Sequence, residues 1–379
     1  MKVTTLDPIV FKGKCRGFQF SLLLRSVILL PYQTIAIAYH QLFCIMTSRY
    51  ASVHQIEALG GPGDARPTAS QIVQDQQLVD KLSNKVILIT GCSSSIGVET
   101  ARALYLTGAT LYLTARDTAK VEAALGDLIE SPRVHVLHLD LDSLGSVRAC
   151  AEEFKSKTAR LNILIENAGV MACPEGRTAD GFETQFGTNH LAHFLLFQLL
   201  RPMLLASSTP EFNSRVVIVA SSAHYVSDVH FDNLSLENEY DPWKAYGQSK
   251  TANIWTANEI ERRYHSKGLH AFSLHPGAIA TDLLRHVDDD VKNGWQQNKY
   301  LDTYWKSPEQ GAATSVWAAL AKELEGKGGL YLDDCQIAGA HDASKTGPQG
   351  PGYKPWAYNP EGETKLWKMS LELLNLSDD

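Results

Sequence analysis

From Lys85 onward the chain alternates short, nearly unbroken β-branched runs with longer stretches whose apolar residues recur at helical spacing. The runs are Lys85–Thr90, Thr110–Ala115, Val134–His138, Ile163–Glu166, Arg215–Ala220, His270–His275 and Gly329–Leu332. Several are continuously apolar rather than alternating, as parallel strands covered on both faces must be. Between them, Val98–Thr107, Val121–Ile129, Val147–Lys157 and His190–Leu205 carry amphipathic patterns. The repeated strand–helix order predicts an α/β fold: a doubly wound, Rossmann-type parallel sheet of about seven strands in a single domain.

The pattern divides the chain into an apolar and basic extension (1–45), a polar lead-in with turn-forming composition (46–84), the α/β domain (85–340) and a C-terminal tail (341–379). Within the extension, Val27–Met46 approaches the length of about 20 residues that a membrane span requires, but Pro31, Gln33, His40 and Gln41 interrupt it. No small-residue cleavage site follows it, which disfavours a secretory signal. A weak anchor, a peripheral amphipathic segment and an unstructured or mis-assigned extension all fit this composition, and Met46 stands where a shorter product could begin. The reading is a cytoplasmic protein, with membrane association through residues 1–45 left open.

Composition adds exclusions. Of 379 residues, 44% are hydrophobic and 20% charged, enough for a large core in an ordinary globular chain. A net charge of −7 without a basic stripe argues against nucleic acid as a partner. The six cysteines are scattered without C-x-x-C spacing, so neither a disulfide framework nor a metal site is expected.

The first predicted strand runs into Thr90-Gly91-Cys92-Ser93-Ser94-Ser95-Ile96-Gly97 and then a helix-forming stretch. A tight turn at a helix N-terminus presents backbone N–H groups and the positive end of the helix dipole to a pyrophosphate. Gly91 lets the chain turn and Gly97 lets the helix approach the sheet, while the serines add hydroxyl donors. A plain strand–turn–helix connection is the alternative. At the end of the second strand, where nicotinamide enzymes place an acid for the ribose 2′-hydroxyl, Ala115 is followed by Arg116. A guanidinium there suits a 2′-phosphate, which favours NADP over NAD. Asp117 competes for a ribose role, though it more naturally caps the next helix.

Further on, Tyr246 and Lys250 stand four apart in a helical stretch, so both can face one cleft. A free phenol titrates near pKa ~10, and a fixed cation beside it is expected to bring that value down toward the working range. Ser221 and Ser222 close the fifth strand, at the sheet edge where open α/β folds bind ligands.

Together these segments resemble the short-chain dehydrogenase/reductase family, from Lys85 to about Cys335. The turn is similar to the family's Thr-Gly-x-x-x-Gly-x-Gly, with Ser95 in place of the middle glycine, and Glu166-Asn167-Ala168-Gly169 is similar to its Asn-Asn-Ala-Gly. The resemblance implies Ser222, the second of the pair, as the serine that orients the substrate oxygen, Tyr246 as acid/base, Lys250 as its cation and Asn189 as part of a proton relay. It also implies cofactor contacts from Gly91, Ser93, Ser95, Ile96, Gly97 and Arg116. Asp140 would lie near the adenine, Asn167 would serve as cofactor border or sheet support, and in Pro276–Thr281 the Ile279 backbone would meet the nicotinamide carboxamide and the Thr281 hydroxyl would reach the carboxamide or pyrophosphate. Asp180–Glu183, Asn189–Phe194, Ser307–Ala313 and Gly328–Cys335 resemble the retinol-dehydrogenase-like branch. Asp282–Lys306, with Trp295, Tyr300, Tyr304 and Trp305, reads as a loop or short-helix lid whose aromatics suit a bulky apolar or polyketide-like substrate, with plain surface packing as the alternative reading. The expected activity is hydride transfer between NADP(H) and a carbonyl or alcohol, in secondary metabolism among other settings, with a homodimer compatible. The alternative, motivated by Ser95, Glu166 and the long N-terminus, is a catalytically weak NADP-binding interaction protein on the same fold.

Overall fold

A computed structural model describes residues 10–15, 18–23, 49–346 and 350–378. Near the N-terminus, Val10–Cys15 and Phe18–Leu23 pair as an antiparallel hairpin within a unit of its own, residues Met1–Arg49. The Val27–Met46 stretch, on which the membrane question turns, lies outside the described residues. Among the described residues no helix is long and apolar enough to cross a membrane.

The second unit, Tyr50–Asp379, is built on one sheet. Its strands are β1 (Val86–Thr90), β2 (Thr110–Ala115), β3 (Val134–His138), β4 (Ile163–Glu166), β5 (Ser214–Val219), β6 (Leu269–His275), β7 (Leu330–Asp333) and β8 (Gln336–Ile337). Their spatial order is β8-β7-β6-β5-β4-β1-β2-β3. All neighbours are parallel except the short β8, which folds back antiparallel on β7. The seven strands expected from the pattern are present within a residue or so at each end. Strand order reverses between β1 and β4, which opens a crevice at their C-terminal ends.

The continuous apolar runs are explained by two covered faces. Ile87 and Ile89 of β1 join one core with α1 (Ala69–Asp75), α2 (Ser95–Tyr105) and α3 (Thr118–Leu125). Val86 and Leu88 join the opposite core with α4 (Leu144–Lys157), α5 (Ala192–Ser207) and α6 (Pro242–Tyr264). The first face is completed by α7 (Ala313–Leu320) and the second by α8 (Pro360–Leu373).

The lead-in and the tail therefore pack on the same body as the sheet. In the lead-in, Ile72 and Val73 are buried against Trp317, and in the tail Leu366, Trp367 and Leu371 are buried against α5 and α6. Trp367 is 2% exposed and meets Phe194 edge-on at 4.9 Å. Removing such a side chain leaves a cavity between two helices. Trp367→Ala is expected to cost about 3–5 kcal/mol, read as a lowered urea midpoint with an unchanged slope. A loss under about 1 kcal/mol would show that α8 contributes little to the fold.

Candidate active site

The crevice between β1 and β2 on one side and β4 on the other is a cleft of about 480 Å³. Its floor is the turn from Gly91 to Gly97. Gly91 has φ +75°, and a Cβ there would stand 2.8 Å from the Ala168 backbone. At Gly97 a Cβ would fall 2.0 Å from the Gly91 carbonyl oxygen, so α2 can start this close to the sheet only as glycine. Ser95 takes φ +47°, the left-handed conformation that the glycine pattern anticipates, and its hydroxyl is buried with no partner among the described residues. That conformation costs a non-glycine residue about 1 kcal/mol or more.

Most of the expected cofactor residues line this cleft: Gly91, Ser93, Ser95, Ile96, Gly97, Arg116, Asp140, Asn167 and Thr281. Arg116 is exposed and makes no ion pair among the described residues. Asp117 instead caps α3, accepting from the Lys120 N–H at 3.3 Å. The Asn167 amide donates to the carbonyls of Thr90 at 2.9 Å and Gly91 at 3.2 Å, so its side chain braces the glycine turn. The side chain of Ile279 is turned away from the cleft. It is buried against Gly311, where a Cβ would come within 2.6 Å of it.

Beyond the cleft, α6 brings the reactive groups together. Asp241 caps this helix and Pro242 starts it, and Tyr246 and Lys250 fall one turn apart, both buried. The Lys250 Nζ donates to the Val219 carbonyl at 2.9 Å and lies 5.5 Å from the Tyr246 ring centre. Burial lowers the Lys250 pKa to about 7. Burial also pushes Tyr246 up to about 12, offset in part by a hydrogen bond with the Ser221 hydroxyl. The expected drop in the tyrosine pKa is thus reversed in the protein's own surroundings. Desolvation of the phenol wins, and the cation meant to oppose it is itself weakened by burial.

The same interaction distinguishes the two serines by position. Ser221, not Ser222, stands beside Tyr246. Directly after β5 the chain tightens into a 3₁₀ turn, Ser222–Tyr225, for which the Ser221 hydroxyl is the cap, accepting from the Ala223 N–H at 3.0 Å. Ser222 is already inside that turn. Its N–H donates to His275 Nδ1 at 3.2 Å, and no hydrogen bond joins it to Tyr246 among the described residues.

Asn189 sits in a π-helical turn, Gly187–Leu191, that leads into α5. Its Oδ1 accepts from the Val170 N–H at 2.8 Å, and its Nδ2 donates to the Val170 carbonyl at 2.9 Å and to the Ser249 hydroxyl at 3.0 Å. It therefore ties the segment after β4 to α6. His193, one turn on, was not anticipated. Its Nδ1 donates to the Asn189 carbonyl at 3.0 Å, leaving Nε2 to accept from the Thr90 hydroxyl at 2.9 Å. Burial lowers its pKa to about 4, so the ring is neutral.

On the outer side of Tyr246 lies an apolar cluster with Met171, Ala172, Val287, Leu283, Leu284, Trp243 and Trp295. A chain of edge-on rings runs outward from it. Trp243 is 6.4 Å from Tyr246, Trp295 is 6.3 Å from Trp243, and Trp305 is 6.2 Å from Trp295. The segment expected to form a lid folds as a 3₁₀ turn, Asp282–His286, and the helices Asp289–Gln297 and Lys299–Tyr304. The Tyr300 side chain lies outside what is described.

The profile of the short chain dehydrogenase family matches residues 85–292. The short-chain dehydrogenase/reductase prx1 of Penicillium roqueforti is 54% identical over 318 residues, covering 84% of this chain and 93% of the relative. The oxidoreductase calI of Penicillium decumbens is 46% identical over 344 residues, covering 87% and 99%. Human retinol dehydrogenase 12 is 38% identical over 299 residues, covering 78% and 88%. The chain belongs to the short-chain dehydrogenase/reductase family. Among solved structures, an uncharacterized protein from Mycobacterium paratuberculosis superposes with a TM-score of 0.58 at 31% identity, covering 78% of this chain and 95% of that one. The RhlG/NADP complex of Pseudomonas aeruginosa shares the fold, with a TM-score of 0.54 at 24% identity, covering 68% and 96%.

As a short-chain dehydrogenase/reductase the chain is an oxidoreductase of a family that uses a nicotinamide cofactor. The glycine cradle fits such a dinucleotide: at Gly91 and Gly97 backbone packing leaves no room for a Cβ, and the helix they introduce points its N-terminus at the cleft. In this family turn Ser95 is the one residue whose backbone conformation opposes its side chain. Ser95→Gly is expected to raise stability by about 0.5–1 kcal/mol and to leave cofactor affinity equal or tighter, measured by thermal unfolding and dinucleotide titration. A loss of stability would mean that the serine hydroxyl holds the turn.

Proposed function

We propose that this protein is an NADPH-linked carbonyl reductase for bulky, largely apolar ketones or aldehydes, able to run in reverse on the corresponding alcohols. The observation that carries this reading is the Ser221–Tyr246–Lys250 set, with Tyr246 and Lys250 buried and Ser221 half-buried, beside the tryptophan series that begins at Trp243. Tyr246 keeps its proton far above neutrality, which suits a general acid that protonates an oxygen as it gains negative charge. The Ser221 hydroxyl, hydrogen-bonded to that phenol, orients the substrate oxygen toward it. Lys250, with a pKa near 7, can carry a proton or release it at working pH and is placed to replenish Tyr246. Reduced nicotinamide, when bound, supplies the hydride. Gly91, Ser93, Ile96 and Gly97 would hold the pyrophosphate of the dinucleotide, Asp140 its adenine side and Thr281 its nicotinamide side.

Preference for NADPH rests on Arg116, an exposed guanidinium on the cleft wall at the point where an acid would select NAD. The nearest acid, Asp117, is engaged in capping α3. The apolar substrate rests on Trp243, Trp295 and Trp305, whose rings lead away from the reacting phenol. The retinol dehydrogenases, named for a bulky apolar alcohol, are consistent with such a substrate, and the names of the fungal pair prx1 and calI suggest a place in secondary metabolism. The intact catalytic set speaks against a merely cofactor-binding role.

Following NADPH absorbance across a panel of aromatic and terpenoid ketones tests the chemistry. Tyr246→Phe and Ser221→Ala are expected to lower kcat by about 10²-fold or more, with Ser222→Ala within about threefold of the parent. Undiminished turnover in Tyr246→Phe would sink the mechanism, and a larger loss from Ser222→Ala than from Ser221→Ala would restore the serine first expected. For the cofactor, Arg116→Ala is expected to raise KM for NADPH by about tenfold or more while leaving KM for NADH nearly unchanged. An unchanged ratio of the two constants removes the 2′-phosphate assignment.

A further inference from the structure

Lys306 is 6% exposed and lies across the segment Pro276–Thr281 that follows β6. Its backbone N–H donates to the Ala278 carbonyl at 2.8 Å, and Lys306 and Ile279 form a parallel bridge. Its Nζ donates to the Pro276 carbonyl at 3.3 Å and to Asp334 Oδ1 at 2.6 Å. Gly277, with φ +102°, has the lysine laid directly over it, for a Cβ would meet Cδ, Cε and Nζ at 2.7–2.8 Å. Asp334 lies in the turn between β7 and β8, itself at φ +52°, and His54 Nε2 approaches the same carboxylate oxygen at 3.7 Å. Burial alone would discharge Lys306, but the carboxyls of Asp334 and Asp333 outweigh it, and its pKa is raised.

A buried ion pair of this kind is weak as a stabilising device, because desolvation offsets most of its attraction. What it does fix is geometry. One ammonium holds the start of the loop, the lysine backbone holds the middle, and the loop then runs on to Thr281 and Leu283 on the cleft wall. Leu283 also belongs to the apolar cluster around Tyr246, so the loop spans from the cofactor cleft to the reacting phenol.

We propose that Lys306, anchored by Asp334, is a positioning residue that sets the Pro276–Thr281 loop against the nicotinamide half of the cofactor. The inference rests on the reading of the cleft as an NADP(H) site. The test compares NADPH with adenosine 2′,5′-bisphosphate, which lacks the nicotinamide half. Binding is followed by tryptophan fluorescence for the parent, Lys306→Met, Lys306→Arg and Asp334→Asn, alongside each variant's melting temperature. NADPH affinity should fall about tenfold or more in Lys306→Met and Asp334→Asn, with partial recovery in Lys306→Arg, while the bisphosphate binds all four within about twofold. Equal weakening of both ligands, or no change in either, overturns the positioning role. Asp334→Asn keeps the side-chain shape and carries the test if the methionine variant does not fold. If the unaltered protein binds neither ligand, the cofactor reading itself fails, and the loop assignment falls with it.

Discussion

The cleft depends on how strands β1 and β4 end together, and a single hydroxyl governs that. Thr90 Oγ accepts the N–H groups of Asn167 at 2.9 Å and Ala168 at 3.0 Å, and donates its own proton to His193 Nε2. The bond to His193 leads through Nδ1 to Asn189, and Asn189 leads on to Val170 and to Ser249 on α6. One buried residue therefore sets the distance between the glycine turn, the segment beyond β4 and the helix that carries Tyr246 and Lys250. A hydroxyl suits this place because it accepts twice and donates once at the same atom. A network of this kind holds its geometry only when every member is satisfied, since a buried polar group left without a partner costs about 1–3 kcal/mol.

Burial at the reacting end acts on the two titratable groups in opposite directions. It raises the phenol of Tyr246 and lowers the ammonium of Lys250, and both shifts favour the neutral form. Exposed to water, the pair would be an ordinary helix face with a cation and a protonated phenol about three decades apart in basicity from a useful acid/base at neutral pH. Desolvation brings the lysine into the working range while keeping the phenol a firm proton holder. That division of labour fits delivery of a proton to a carbonyl oxygen by Tyr246 and its renewal through Lys250. The Ser221 hydrogen bond is the local interaction that pulls the phenol back toward reactivity.

The sheet was legible in the sequence because strands buried on both faces cannot avoid continuous apolar runs, and the seven that were expected are the seven that form the parallel sheet. The glycine turn and the Tyr246–Lys250 pair were legible because backbone conformation and helical spacing restrict them to few residue types. The choice between Ser221 and Ser222 was not. Both stand at the same strand end, and the outcome depends on the residue at which the 3₁₀ turn begins, a one-residue matter that no hydrophobic period records. The expected fall in the Tyr246 pKa failed for a related reason. Spacing places a cation near the phenol but says nothing of how deeply both are buried. Nor did the pattern show β8, two residues long, or the structural use of His193, which only its contact with Thr90 reveals.

The lead-in leaves little trace in the hydrophobic pattern because much of its role is polar. Arg66 is 3% exposed, and its guanidinium donates to the carbonyls of Gly61, Thr303, Tyr304 and Trp305 and to the Asp64 carboxylate. Three of those carbonyls lie at or just beyond the end of the helix Lys299–Tyr304, where backbone acceptors have no partner within the helix. A buried cation facing them also meets the negative end of the helix dipole. Gln310 locks the other side, donating to Asp64 Oδ1 at 2.9 Å and to the Arg66 carbonyl at 3.1 Å. The segment that carries Trp305, the outermost ring of the tryptophan series, is thus fastened by a residue about 240 positions earlier in the chain. The sequence shows turn-forming composition around Gly60–Asp64. It is the conformation a short loop needs to bring one guanidinium onto several carbonyls at once, and it ties the lead-in to the segment that carries Trp305.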